Sequence, residues 1–248
     1  MNRTARNIIV ALLIGAFLIV AAYVVFIIYI FMTPVSDTLK NESYSFDADD
    51  VFTVSIDAPV GYVTISGAGE GDEISVVVFE DGDEIEYTAE LSEEGELTIA
   101  QSPLTWYNEI RYSGSTLYGI TVTLPISVEC NVIVRGGTGD VTLTSLSLGG
   151  LSVDVTSGAV LLDDVTPTEG NQISVSTTSG VISCSFSDGI SPEDYTFDVE
   201  TQYGSAVLPQ KLTYSVDSST TEDGVTADYS LRSKNGGIEV TFAASEGE

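Results

Sequence analysis

The sequence predicts an all-β fold, a single-stranded parallel β-solenoid with an antiparallel meander, preceded by one N-terminal transmembrane helix. Two observations lead to this prediction. A twelve-residue pattern, with apolar residues at places 1, 3, 10 and 12 and glycine at place 8, occurs six times in the 248 residues. An uncharged, strongly apolar run covers residues 8–32. The repeat carries most weight, because a fixed internal repeat decides the architecture of a chain.

The repeat predicts two short strands around each glycine, because its apolar residues alternate as in a strand with one buried face. The glycine is expected to supply a positive φ, or to allow close approach of two backbones where the chain turns. The six copies begin at Val54, Val132, Leu151, Ile173, Phe197 and Tyr229. Their eighth-place glycines are Gly61, Gly139, Gly158, Gly180, Gly204 and Gly236.

Stacking of the last five copies in chain order would bury their apolar sides in two columns. The first predicted column is Val141, Val160, Ile182, Ala206 and Ile238, and the second is Leu143, Leu162, Cys184, Leu208 and Val240. The copies begin 19, 22, 24 and 32 residues apart, which a solenoid accommodates by placing the surplus in loops. A compact β-sandwich remains the alternative fold, because strand alternation alone fits it too.

Residues 73–101 follow a different pattern, which predicts an antiparallel meander with turns at residues 81–83 and 93–95. Such a meander could cover one end of the stack and hide strand edges that would otherwise pair with other chains. The predicted solenoid domain covers residues 51–242, and residues 243–248 form an acidic tail.

The apolar run at residues 8–32 is long enough to cross a bilayer core of about 30 Å with some tilt. It is longer than the apolar core of about 7–15 residues in a cleaved signal peptide, which favours an uncleaved anchor. Arg3 and Arg6 precede the run, so the positive-inside rule places residues 1–7 in the cytoplasm and the remainder outside the cell. Residues 33–50 are expected to form a polar stalk, with a glycosylation sequon at Asn41.

The charge balance excludes polyanion binding. Eight basic residues face 37 acidic ones, the net charge is −29, and there is no histidine. Such a chain repels nucleic acid. The same balance is typical of proteins from extreme halophiles, above all haloarchaea, because concentrated salt screens the self-repulsion. Without histidine the chain cannot carry a Ser-His-Asp triad or an imidazole metal site.

Many of the acids are expected to be solvated surface residues without a specific role. Three further chemistries remain as alternatives. A glycan-active enzyme would need convergent carboxylates, for which Asp154, Asp163 and Asp164 are the candidates. Calcium could bind near turns at residues 47–50, 80–84 or 136–140, although none of these has the spacing of an EF-hand loop. Cys130 and Cys184 could form a disulfide outside the cell, or could be small buried side chains. No other cofactor is predicted.

An aromatic segment at residues 105–118 interrupts the repetition. Aromatic side chains together with an arginine are typical of recognition sites for proteins or sugars, although they are equally typical of packing against a core. The candidate recognition residues are Trp106, Tyr107, Arg111, Tyr112 and Tyr118.

Two longer motifs resemble a known family. The segment FTVSIDAPVGYVTISG begins at Phe52, and GITVTLPISVECNVIVRGGTGDVTL begins at Gly119, with Leu124-Pro125 closing an apolar strand before Gly139-Asp140-Val141. Over residues 51–242 the chain resembles the bacterial and archaeal putative-adhesin, or toast-rack, domain. That resemblance implies a single-stranded β-helix at the cell surface and no specific activity.

The sequence therefore predicts a non-catalytic, membrane-anchored extracellular protein that contacts a cell-surface protein or glycan. Three alternatives stay open: a subunit for envelope assembly or sensing, a pilin- or archaellin-like filament subunit, and a glycan-active enzyme.

Overall fold

The computed structural model describes residues 3–32, 39–68, 71–81, 84–126, 128–168, 170–187, 195–209, 214–215 and 228–242. Two α-helices are present in these residues, α1 (Arg3–Met32) and α2 (Trp106–Tyr112), together with a 3₁₀ turn at Ala48–Asp50. The strands are β1 (Lys40–Asp47), β2 (Thr53–Val60), β3 (Tyr62–Ala68), β4 (Glu73–Glu80), β5 (Tyr87–Leu91), β6 (Glu96–Gln101), β7 (Gly119–Pro125), β8 (Asn131–Thr138), β9 (Val141–Leu148), β10 (Gly150–Ser157), β11 (Val160–Pro167), β12 (Ile173–Ser179), β13 (Ile182–Phe186), β14 (Phe197–Thr201), β15 (Ala206–Val207), β16 (Tyr214–Ser215), β17 (Tyr229–Asn235) and β18 (Ile238–Phe242).

Two nine-stranded sheets enclose the core. Their strand orders are β1-β4-β7-β3-β9-β11-β13-β18-β15 and β16-β14-β17-β12-β10-β8-β2-β6-β5. Each repeat gives its first strand to the second sheet and its second strand to the first sheet, and neighbouring repeats pair in parallel. The predicted solenoid is confirmed, and the sandwich alternative is not the fold that forms.

The strand register follows the repeat. Val153 of β10 lies opposite Val134 of β8 and Val175 of β12, so equivalent places stack on one another. Within β10 the side chains of Leu151, Val153 and Val155 are buried, while those between them are exposed. The period of two therefore builds the core rung by rung.

The order of the last two repeats differs from the chain order that the sequence predicted. The Tyr229 repeat lies between the Ile173 and Phe197 repeats, because β17 pairs with both β12 and β14. The first predicted column therefore ends Ile182, Ile238, Ala206, and Leu208 lies beyond the end of β15. Proline lacks the N–H that an interior strand needs, so Pro209 just after β15 suits an edge position.

The predicted meander covers one end of the stack, but it is divided between the two sheets. Strand β4 lies antiparallel between β1 and β7 in one sheet, while the β5–β6 hairpin extends the other. The hairpin turn has Gly95 at φ 79°, and Gly95 donates its N–H to the Ser92 carbonyl over 3.2 Å. Gly82 and Asp83 of the other predicted turn lie outside the described residues.

Part of the predicted polar stalk is a strand. β1 pairs with β4 along its whole length, from Lys40 opposite Glu80 to Asp47 opposite Glu73. Tyr44 and Phe46 are partly buried against the core, which explains why this acidic segment joins the sheet. The sheet that contains β4 therefore includes residues before 51, and the boundary at residue 51 stays a prediction.

Helix α1 is long and apolar enough to cross a membrane, by length and composition. Its window Leu12–Tyr29 has a mean hydropathy of 2.8, and 0% of that window is buried within the fold. Large apolar side chains such as Phe17 (71% exposed) and Ile19 (72% exposed) point away from the rest of the protein. Such a surface needs an apolar environment.

The eighth-place glycines form a continuous column at one corner of the solenoid. A Cβ atom on Gly158 would overlap the Gly139 carbonyl, one on Gly180 would overlap that of Gly158, and one on Gly236 would overlap that of Gly180. Gly61 also has φ 97°. The prediction of close backbone approach is thus confirmed, and this column has no room for any side chain.

We expect Gly180→Ala to lower the free energy of unfolding of the full chain by about 1–3 kcal/mol, because a methyl group must displace backbone inside a packed stack. Urea unfolding followed by circular dichroism in detergent measures the change. Gly71→Ala is the matched control, because a Cβ there meets nothing within 4 Å. Equal stability of the two variants would show that the corner relaxes at little cost.

Candidate interaction site around helix α2

The aromatic segment at residues 105–118 forms helix α2 and the turn that follows it. The Thr105 carbonyl accepts the N–H groups of Asn108 (2.9 Å) and Glu109 (3.0 Å) and so begins the helix. The segment lies against the first repeat, where the Tyr118 carbonyl accepts the Tyr62 N–H over 3.1 Å. This places the segment beside the corner that Gly61 forms.

Tyr112 fixes the helix to the acidic turn after β4. Its hydroxyl donates to Asp81 Oδ2 (2.9 Å) and contacts Glu84 Oε2 at 2.7 Å. Asp81 is only 2% exposed, and its Oδ1 accepts the N–H groups of Glu84 (2.7 Å) and Ile85 (3.0 Å). Burial and these two carboxylates raise the pKa of Tyr112, so the phenol stays protonated and remains a donor.

Arg111 and Tyr118 complete this attachment. The Arg111 guanidinium lies 3.5 Å from Glu84 Oε2 with 15% of its side chain exposed, and it stacks 5.6 Å from the ring centroid of Tyr112. Tyr118 is fully buried and packs edge-on against Tyr112, with ring centroids 5.5 Å apart. These three predicted recognition residues are thus joined to one another and to the core.

The other predicted recognition residues, Trp106 and Tyr107, are 58% and 38% exposed and pack edge-on with ring centroids 6.1 Å apart. Two residues that the sequence analysis did not select, Ile110 (50% exposed) and Leu117 (46% exposed), lie in the same segment. Ile110 follows Trp106 by four residues, a helical spacing that is a signal, but the segment was not predicted to be helical. The structure therefore separates an exposed apolar group from a buried polar one.

The candidate carboxylates of a glycan-active enzyme do not converge. Asp154 lies in β10 and Asp163 in β11, which belong to different sheets. Each accepts a serine hydroxyl from the next repeat over 2.7 Å, Asp154 from Ser176 and Asp163 from Ser185. Asp164 accepts the backbone N–H of Ser187. These acids link neighbouring repeats.

The acidic turns considered for calcium make similar internal hydrogen bonds. Asp47 Oδ1 accepts the Asp49 N–H over 3.1 Å, and Glu80 Oε2 accepts the Tyr87 N–H over 3.1 Å. Asp140, from the third candidate loop, accepts the Ala159 N–H over 2.8 Å. Within the described residues, no group of three or more acids, cysteines or histidines is arranged to hold a metal ion.

The two cysteines are buried and free, so the disulfide considered from the sequence is absent from the structure. Cys130 precedes β8 and Cys184 lies in β13, two repeats further along the stack. Two strand spacings amount to about 9.6 Å. The Cα atoms of a disulfide are about 4.4–6.8 Å apart, so this separation excludes a bridge without backbone movement.

Asn41 lies in the edge strand β1, opposite Phe79, with its side chain exposed. This position leaves the sequon accessible. Glycosylation stays a prediction.

Residues 127–241 match the family model Toastrack DUF4097. The resemblance drawn from the two sequence motifs is thereby confirmed over the part of the chain from just before β8 to β18, and the fold is a toast-rack type of β-solenoid. A comparison with curated proteins found no match.

The solved structures that match this chain include three from bacteria. A putative cell adhesion protein from Clostridium sporogenes ATCC 15579 has 18% identity, covers 82% of this chain and 99% of its own, and gives a TM-score of 0.57. A putative adhesin from Bacteroides fragilis NCTC 9343 has 13% identity and a TM-score of 0.29, covering 82% of this chain and 97% of its own. One from Parabacteroides merdae ATCC 43184 has 9% identity and a TM-score of 0.27, covering 83% and 97%.

The first of these likenesses concerns the fold alone, because only 18% of residues are identical. The haloarchaeal source expected from the acidic composition receives no support from these bacterial structures and stays a prediction.

We expect Tyr112→Phe to lower the free energy of unfolding by about 1.5–3 kcal/mol, because it removes a hydrogen bond to a buried carboxylate. Urea unfolding of the full chain in detergent measures this loss. Tyr107→Phe is the matched control, since Tyr107 is 38% exposed, and its effect should stay within about 0.5 kcal/mol. A neutral Tyr112→Phe would show that the hydroxyl contributes nothing to the attachment of α2.

Both thiols should resist a thiolate-selective reagent in the native protein. Burial raises the pKa of the Cys130 thiol to about 11 and that of Cys184 to about 12. At pH 8 roughly one Cys130 thiol in a thousand would be ionised, and raising the pH should increase the reactive fraction. Mass spectrometry should find no adduct on the native chain, and two after denaturation without reductant. A disulfide would give none in either state.

Proposed function

We propose that this protein is a single-pass membrane protein whose solenoid presents rigid sheet faces outside the cell for contact with a surface protein or glycan. The observation that carries this proposal is the combination of an apolar, outward-facing helix α1 with a toast-rack solenoid in one chain.

The anchor is supported by the length and charge of the N-terminal segment. The uncharged run of 25 residues, 8–32, extends about 37 Å as a helix, against a hydrocarbon core of about 30 Å. Arg3 and Arg6 precede it and mark the cytoplasmic side. The solenoid would then lie outside the cell.

A scaffold role is supported by the way in which polar side chains are used. The candidate carboxylates link neighbouring repeats and lie on two sheets, so they do not form a catalytic pair. Nine strands about 4.8 Å apart make each sheet about 38 Å wide across its strands. Solenoids commonly bind partners through extended faces of this kind.

Attachment of intact cells tests this proposal. Deletion of the gene should abolish the attachment and aggregation that the protein mediates, and the full chain should restore both. Protease added to intact cells should cleave the solenoid, because the proposal places it outside. Unchanged attachment and aggregation after deletion would contradict the contact function.

An anchor variant separates folding from location. Leu18→Arg with Val20→Arg adds about 5–7 kcal/mol to the cost of insertion, and both side chains are at least 60% exposed, so the solenoid should fold normally. This variant should leave the membrane fraction and fail to restore attachment. Alanine at the same two positions is the control, and this variant should stay in the membrane fraction and restore attachment. Retention of the arginine variant in washed membranes would contradict α1 as the anchor.

A further inference from the structure

Helix α2 packs in the opposite sense from a helix on a water-exposed surface. Its core-facing side carries Asn108 (6% exposed), Arg111 and Tyr112 (1% exposed). Its outer side carries Trp106 and Ile110, which are 58% and 50% exposed. Water favours the reverse arrangement, since apolar burial drives folding. An outer apolar face of this kind marks contact with another apolar phase or partner.

The exposed apolar residues lie on one face. At about 100° per residue, Trp106, Tyr107 and Ile110 fall within an arc of about 100°. Arg111 and the other core-facing residues occupy the opposite arc. Glu109 lies about 60° outside the apolar arc, where its exposed carboxylate can remain in water. We call this outer group, Trp106, Tyr107 and Ile110, the α2 apolar face.

Helix α1 lies directly beside this face. The rings of Phe26 and Trp106 have centroids 5.9 Å apart and planes at 46°. The α2 apolar face is therefore continuous with the outward-facing surface of the segment that would cross the membrane. Some other exposed apolar side chains lie far from this face. Tyr203 and Val207, for example, belong to the Phe197 repeat at the opposite end of the stack.

The position of Phe26 along α1 sets the depth at which Trp106 would lie in the bilayer. If the residues 8–32 are centred on a core of about 30 Å, each end of the run extends about 3–4 Å beyond it. Phe26 lies six residues, or about 9 Å, before Met32, and thus about 6 Å within the outer edge of the core. A tryptophan ring in contact with Phe26 lies near the level where aromatic belts form.

We propose that the α2 apolar face inserts into the outer interface of the bilayer beside α1, so that the solenoid is held to the membrane at two points. This inference rests on the anchoring part of the proposed function. Trp106 and Tyr107 supply rings suited to the headgroup region, and Ile110 supplies apolar area. The tether through α1 raises the local concentration of lipid around α2, so even weak insertion is maintained.

Lipid suits this face better than a soluble partner does. A protein bound to Trp106 would have to enter the space between the solenoid and the lipid that surrounds Phe26. The residues concerned are uncharged, so insertion does not depend on anionic headgroups, which the net charge of −29 would repel. A second copy of the chain and a protein partner become alternative outcomes of the test.

Intrinsic fluorescence tests the proposal, because Trp106 is the single tryptophan of the sequence. The full chain is reconstituted into lipid nanodiscs containing lipids brominated near the headgroup or near the chain end. We expect strong quenching by the shallow bromines, weaker quenching by the deep ones, and little quenching by aqueous acrylamide. Quenching by acrylamide with none by either lipid would overturn the proposal. Protection of Trp106 from acrylamide and from both brominated lipids would also overturn the proposal, because it would indicate that protein covers Trp106.

A relocated tryptophan is the positive control for exposure. Trp106→Phe with Tyr203→Trp places the probe between β14 and β15, at a side chain that is 69% exposed. Its repeat lies five strand spacings, or about 24 Å, from that of β2. This probe should be quenched by acrylamide and not by brominated lipid.

A charged variant tests the face itself. Ile110→Glu should abolish quenching of Trp106 by the shallow bromines, because a carboxylate resists entry into the interface, while the urea midpoint should not change. Leu161→Glu is the matched control, because Leu161 is 38% exposed on β11 and should leave the lipid quenching unchanged. Unaltered quenching in Ile110→Glu would exclude α2 as the inserted element.

The two proposals can fail separately. Reconstitution places α1 in the nanodisc wherever the protein is located in cells. The quenching result therefore concerns α2 alone. Cell attachment and release of the anchor variant concern the proposed function. A protein retained by washed membranes whose Trp106 is reached only by acrylamide would overturn the inference and leave the anchor intact.

Discussion

The close approach of backbones at the glycine corner is the constraint on which the rest of the solenoid depends. Each eighth-place glycine after Gly61 lies against the carbonyl of the glycine beneath it, with Gly139 on Gly61 and Gly204 on Gly236 at the two ends. The corner amides also bond between repeats, as Gly158 does to the Ser179 carbonyl over 3.0 Å. Because the corner fixes both spacing and register, the alternating apolar side chains on either side of it meet their equivalents and fill the core.

A fixed register also determines where charges meet. One outward column runs through Asp57, Arg135, Asp154, Ser176, Arg232 and Glu200 across six paired strands. In it Arg232 lies 3.8 Å from Glu200 and 3.3 Å from Asp198 of the same strand. Asp154 accepts the Ser176 hydroxyl instead of facing another acid. Placing donors between carboxylates lowers like-charge repulsion along a column, and this helps to explain how so acidic a chain forms stacked strands.

The solenoid could be predicted from the sequence because its signals are local: a period of two and a glycine at a fixed place. The positions of the last two repeats could not, since both carry the same pattern. Their order depends on strand length, with β15 limited to Ala206–Val207 and followed by Pro209, while β18 pairs on both sides. Likewise β1 was missed, because its place in the sheet depends on pairing with the distant strand β4 and on packing of Tyr44 and Phe46 against the core. Pairing between distant segments is decided by tertiary contacts, which local pattern does not contain.

The position of the candidate site in the chain was predicted, but the division of its residues into buried and exposed sets was not, for a related physical reason. The sequence marked Trp106, Tyr107, Arg111, Tyr112 and Tyr118 as one group, whereas the structure divides them by environment. The buried hydroxyl of Tyr112 donates a hydrogen bond to Asp81, which is itself only 2% exposed. Arg111 faces the same side of α2, where its guanidinium lies 3.5 Å from the Glu84 carboxylate. Once these polar contacts occupy the inner side of α2, Trp106 and Ile110 must face outward. The inner face of α2 is thus occupied by contacts with buried acids, and its outer face carries the apolar side chains. The contact of Trp106 with Phe26 shows that the surface adjoining this outer face is apolar as well.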